Sequence, residues 1–133
     1  MLTADEVMDA YAAWTLGDGD ALHALTGEES YDNVSRTSGP KILDVVAGWL
    51  DQSFADRRVE RHAAMRDGDR VLLWFTMHGT HVGNGFPRMA GLPVEGADVA
   101  WHQVHAFRLE DERIVEHWAV RDDLAMLEMC GRK

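Results

Sequence analysis

The chain of 133 residues is 46% hydrophobic and 8% aromatic, which suits a single globular domain over residues 1–133 that buries roughly two thirds of its unfolded surface. With 23 acidic against 13 basic residues its formal charge is -10, which repels phosphate backbones and anionic bilayers and argues against nucleic acid or membranes as partners. The lone Cys130 allows neither an internal disulfide nor a cysteine-based zinc site, the start Met1–Glu6 lacks the regions of a leader peptide, and the apolar run Val71–Met77 is too short to span a bilayer, so a soluble, unprocessed cytoplasmic protein is expected.

Thr3 and Glu6 have capping-box spacing, and Val7, Tyr11 and Trp14 recur at helical intervals as far as Gly17, which predicts a first helix with a glycine stop. Asp18-Gly-Asp20 reads as a turn and Ala21–Leu25 as a short second helix. The polar stretch Glu28–Ser38, broken only by Tyr31 and Val34, reads as a short strand or a loop. Pro40 opens a third helix, in which Ile42, Val45, Val46, Trp49, Leu50 and Phe54 form one apolar stripe that must cover something.

Beyond this helix the period changes from about 3.6 to 2. Arg58–Met65 and Arg70–Val82 predict antiparallel strands around an Asp67-Gly68 turn. The segment Gly83–Gly96 holds four glycines and two prolines and is expected to be a long loop. Asp98–Arg108 and the run from Arg113 form a second hairpin around Leu109–Glu112, and Asp122-Asp123 starts a closing helix with Leu124, Met126, Leu127 and Met129. Helices first and antiparallel strands second predict an α+β fold, with a curved sheet covered by the N-terminal helices and a pocket between them. His78 and His81, like His102 and His105, have an i, i+3 spacing that suits metal on a helix, but on a strand each pair leaves opposite faces, so no metal is expected.

Five segments carry a family likeness: Phe54-Ala-Asp-Arg57, Asp67-Gly-Asp-Arg-Val71, Gly79-Thr-His-Val-Gly83, Gly91-Leu-Pro-Val94, and Ile114-Val-Glu-His-Trp118 followed by Asp122. In this order they resemble the SnoaL-like polyketide cyclases of the nuclear-transport-factor-2-like superfamily, over about residues 40–127. The resemblance implies a cone-shaped α+β barrel, a dimer or tetramer through the outer sheet face, a pocket for a hydrophobic carbonyl compound, and no cofactor or metal. In the family a histidine on the long strand sits near the pocket and corresponds to His105. The aspartate that acts as acid/base immediately after the Glu-His-Trp segment falls on Ala119, so another group must move the proton or the chain is not that enzyme.

Alternation places Trp101, Gln103, His105 and Phe107 on one strand face, and the resemblance makes that face inward, together with Val115, His117 and Ala119 on the next strand. His105 and His117 are therefore the candidate bases, with Asp122 as the carboxylate that orients or assists. Tyr31, Trp14, Phe75, Trp101 and Gln103 are the expected substrate contacts, with His81 at the pocket mouth. Each also has a structural explanation: core histidines tied to backbone, aromatics filling a core, a solvated strand end, and carboxylates at a helix start. The outward set, His102, Val104, Ile114, Trp118 and Val120, predicts a symmetric homodimer. The functional expectation is a cofactor-free cyclase that closes a ring in a polyketide or related carbonyl compound by acid/base catalysis. The alternatives are a noncatalytic ligand-binding or dimerisation module, or another proton-transfer isomerase or hydrolase.

Overall fold

The computed structural model describes residues 1–132. Helix α1, Ala4–Thr15, begins as its capping box demands: the Thr3 hydroxyl accepts from the Glu6 N–H at 3.1 Å and the Glu6 carboxylate accepts from the Thr3 N–H at 3.2 Å. Gly17, at φ 106°, turns the chain after it. Val7, Met8, Tyr11 and Trp14 of α1 are buried, and α2, Asp20–Leu25, adds Leu22. Helix α3, Lys41–Ser53, behaves differently: Ile42, Leu43, Val46 and Trp49 are only half-buried, because this stripe walls a cavity rather than a close-packed core. The Trp14 indole N–H donates to the Leu43 carbonyl at 3.1 Å and ties α3 to α1.

Strands β1 (Thr26–Asp32), β2 (Thr37–Ser38), β3 (Phe54–Asp67), β4 (Arg70–His81), β5 (Asp98–Glu110) and β6 (Arg113–Arg121) form one curved, unclosed sheet in the order β2-β1-β6-β5-β4-β3. Helix α4, Asp123–Met129, closes the chain. All neighbours are antiparallel except β1 and β6, which run parallel. The α+β class expected from the element order is therefore correct. The polar stretch before α3 contains two strands: β1 exposes Glu28 and Glu29 and buries Thr26 and Ser30, so a strand with almost no apolar side chain is held by its backbone ladder. Among the described residues no helix is long and apolar enough to cross a membrane.

One irregularity in the central hairpin changes which side chains face inward. Arg108 pairs with Glu116 but Leu109 pairs with Ile114, which leaves Val115 as an extra residue. A one-residue bulge exchanges the two faces of a strand. Ile114, expected on the outer face, is consequently buried and reaches the cavity. The hairpin turn has Asp111 and Glu112 at φ 52° and 59°, the double positive φ of a type I′ connection. Val104, Trp118 and Val120 remain outside, beside Leu72 and Trp74 of β4, their cross-strand neighbours.

Candidate active site

Between the sheet and helices α1, α3 and α4 lies a cavity of about 390 Å³, within the usual range for a site that encloses one organic molecule. Its walls are mainly apolar, from Leu22, Ile42, Val46, Trp49, Phe86 and Met126, with Trp14 and Trp101 also in the lining. The polar groups are few: Tyr11, Ser30, Asp32, His105, His117, Arg121 and Asp123 among them. A greasy enclosure with a small set of convergent polar groups orients a ligand by those groups and holds it by the rest.

Three of them are joined in a line that continues to Gln103. The parallel register of β1 and β6 sets Asp32 opposite His117, and the His117 Nδ1–H donates to Asp32 Oδ1 at 2.9 Å. His117 Nε2 lies 2.8 Å from His105 Nδ1, and His105 Nε2 lies 2.8 Å from Gln103 Oε1. Because Gln103 Oε1 accepts, His105 donates its Nε2–H there, and its Nδ1 accepts from the Nε2–H of His117. His117 is then an imidazolium paired with the Asp32 carboxylate. Rotating the Gln103 amide to donate its NH₂ reverses both bonds and leaves His117 Nε2 as a lone pair. The two arrangements differ by one proton, carried at His117.

The surroundings set the charge preference of each member. Burial would raise the Asp32 pKa, but hydrogen bonds from His117 and Ser35 and the His117 charge outweigh it and lower it from 3.8 to about 2. His105 is 1% exposed, with Phe75 parallel to it at 5.3 Å and Tyr11 4.4 Å away, centroid to centroid. Burial holds its pKa well below 6.5, and the charges of His117 and Arg121 act in the same direction. His105 is thus a neutral relay, whereas His117 has a carboxylate partner that fixes its Nδ1 as a donor. Burial also pushes the Tyr11 hydroxyl well above its ordinary value, partly offset by Arg121 and reinforced by Asp32, so it is a phenol at any neutral pH.

Of the side chains singled out in the sequence, Trp14, Tyr31, Trp101, His105 and His117 line the cavity. Four do not. Asp122 is the N-cap of α4, its carboxylate accepting from the Ala125 N–H at 3.1 Å, so the helix start accounts for it. His81 is fully buried rather than at a mouth: its Nε2–H donates to Asn84 Oδ1 at 2.8 Å, while the Asn84 amide donates to the Leu92 carbonyl at 2.9 Å, pinning the glycine-rich loop. Phe75 lies beneath His105, and Gln103 borders a side recess of about 20 Å³ and reaches the cavity only through His105. The carboxylate beside the histidines is Asp32, which lay unmarked in the polar stretch read as a short strand or a loop. The available signal was the Asp32-Asn-Val-Ser35 pattern of an Asx turn at a strand end, in which Asp32 Oδ1 accepts from the Val34 N–H at 3.1 Å.

A model of the SnoaL-like polyketide cyclase family matches residues 5–129. No curated protein matches the chain. Solved structures do. TsrD from Streptomyces laurentii superposes with a TM-score of 0.80 at 22% identity, covering 96% of this chain and 93% of its own. AclR from Streptomyces galilaeus, a candidate hydroxylase, does so with 0.78 at 28% identity and the same coverage. IdmH from Streptomyces antibioticus, a candidate polyketide cyclase, gives 0.73 at 22% identity over 97% of this chain and 99% of its own. A protein from Catenulispora acidiphila with the same architecture, at a TM-score of 0.72, is described as having a ketosteroid isomerase-like fold.

Proposed function

The chain belongs to the SnoaL-like polyketide cyclase family, and we propose that it closes a ring in a polyketide-like carbonyl compound by proton transfer, with His117 as the base. The observation that carries this reading is the pairing of His117 with Asp32 in the wall of an otherwise apolar cavity. A carbon flanked by two carbonyls is acidic enough that a base near neutral pH and a donor to the developing enolate suffice. The C–H bond breaks and its proton goes to His117 Nε2, whose lone pair the substrate reaches by displacing the His105 Nδ1–H that occupies it. The freed electron pair forms the enolate, whose carbon attacks a second carbonyl of the same molecule. The resulting alkoxide takes the proton back from the His117 imidazolium. Atoms and electrons balance, so the step needs no oxidant or reductant. His105 and Gln103 follow the proton state of His117, and Trp14, Trp101 and Tyr31 hold the hydrophobic substrate. The protein works as a soluble cytoplasmic homodimer through the outer sheet face.

The experiment is deuterium wash-in at the activated carbon of an aromatic β-keto ester in deuterium oxide, followed by NMR. His117→Ala should lower the catalysed rate by roughly two to four powers of ten. A second reading, a noncatalytic ligand-binding module, is favoured by one observation: every ring nitrogen of His105 and His117 already has a partner within the protein. A folded His117→Ala protein that binds the ester and exchanges deuterium at the wild-type rate would put that reading ahead.

A further inference from the structure

Arg121 is a charged side chain of the cavity that the proton relay does not use and that makes no hydrogen bond among the described residues. Its guanidinium lies over the Trp101 ring at 5.3 Å. The Asp123 carboxylate, its nearest acidic partner, is 3.7 Å from Nε, beyond hydrogen-bonding range. Asp123 is already engaged: Oδ1 accepts from the Trp101 indole N–H at 3.1 Å, and Oδ2 is approached by Arg88 at 3.4 Å. Arg121 thus brings five N–H donors, none of them hydrogen-bonded among the described residues, into a mainly apolar cavity with its side chain only 23% exposed. A partly buried guanidinium with free donors is stabilised when oxygen acceptors reach its edge. Across the ladder Arg121 stands opposite Gln103, so it projects beside the relay. Its charge acts on both His105 and the Tyr11 hydroxyl, and that hydroxyl has no hydrogen-bond partner among the described residues either.

We propose that Arg121 and the Tyr11 hydroxyl together bind the substrate oxygen that becomes negatively charged, so the ligand class is a planar conjugated ketone or phenol that binds as its enolate or phenolate. The proposal rests on the carbon-acid reading of the same cavity and assigns the group that reading lacks, a donor site for the enolate oxygen. Trp101 orients the guanidinium from below through its ring face.

The probe is para-nitrophenol, whose anion is a planar oxyanion with its own absorbance, titrated against protein across its ionisation. Wild type should bind the phenolate in preference to the phenol, and Arg121→Gln should weaken phenolate binding by about tenfold or more while phenol binding stays within a factor of about two. Arg121→Lys, which keeps the charge without the fork, should retain part of the preference, and Tyr11→Phe should lose a smaller part. Equal phenolate affinity in wild type and Arg121→Gln, or no phenolate binding by wild type, would overturn the assignment. Tighter binding of para-nitrobenzoate than of the phenolate would overturn the enolate class in favour of a carboxylate. Failure of the histidine mechanism is visible separately, as His117→Ala with unchanged deuterium exchange and an intact phenolate preference.

Discussion

Asp32 Oδ1 and His117 Nδ1 meet at 2.9 Å although the residues are 85 positions apart in the chain, because β1 lies parallel to β6 and sets their Cα atoms opposite each other. In the proposed mechanism this pair supplies the carboxylate that the family motif would have led one to expect at position 119. An Asp32→Asn protein should retain its fold and lose roughly two powers of ten or more in catalysed proton exchange, since the amide favours the wrong imidazole tautomer. Asp122→Ala should cost about 1 kcal/mol of stability through the lost helix cap and leave the exchange rate unchanged. Parallel NMR exchange and urea titrations of the two variants check this, and the reverse pattern would return the orienting role to Asp122.

The depressed pKa of Asp32 also makes stability depend on acid. Its folded value lies below its unfolded one, about 2 against 3.8, so the contribution is present above pH 3.8 and is lost as pH falls toward 2. The size is on the order of 2 kcal/mol. Urea unfolding of wild type and Asp32→Asn at pH 5, 4, 3 and about 2 should show curves that converge as the pH drops. Curves that keep a constant separation would place the stabilising contact elsewhere.

His105 produces a dependence with a different cause. Its folded pKa lies well below 6.5, so below pH 6.5 the unfolded chain takes a proton that the buried ring refuses, and stability falls as pH falls. Replacing His105 with Gln should flatten the stability profile between pH about 7 and 5. A wild-type profile no steeper than that of the variant would show that the ring accepts its proton in the folded state.

Assembly follows from the outer face. Trp74 is 50% and Val120 76% exposed, with Leu72 beside them, and Val104 and Trp118 continue the patch, the Trp118 ring lying under Arg70 at 5.2 Å. Ile114 no longer belongs to it, because the Val115 bulge turns that side chain into the cavity. We expect a homodimer at micromolar concentration in sedimentation, and a monomer when Val120 is replaced by Glu. A monomeric wild type would refute the interface.

How much was legible before folding depends on how each feature is encoded. The α1 cap, the α3 stripe, the hairpin turns and the shared face of Trp101, Gln103 and His105 are written in local spacing, since a helix repeats every 3.6 residues and a strand every 2, while the resemblance added His117 to that face. Those features stand in the structure where the spacing put them, except that Phe54 begins β3 rather than ending the α3 stripe and Val45 is exposed. What lay outside the sequence's reach was every relationship set by backbone pairing between distant strands, because N–H and C=O groups are the same in all residues and carry no side-chain signature. The parallel docking of β1 brought Asp32 to His117, a single extra residue at Val115 turned Ile114 inward, and the closure of β6 onto β5 laid Arg121 across Trp101. The chain by itself determined which residues could share a face; only the tertiary register decided which of them touch, and it was contact that turned two candidate histidines into a relay ending on a carboxylate.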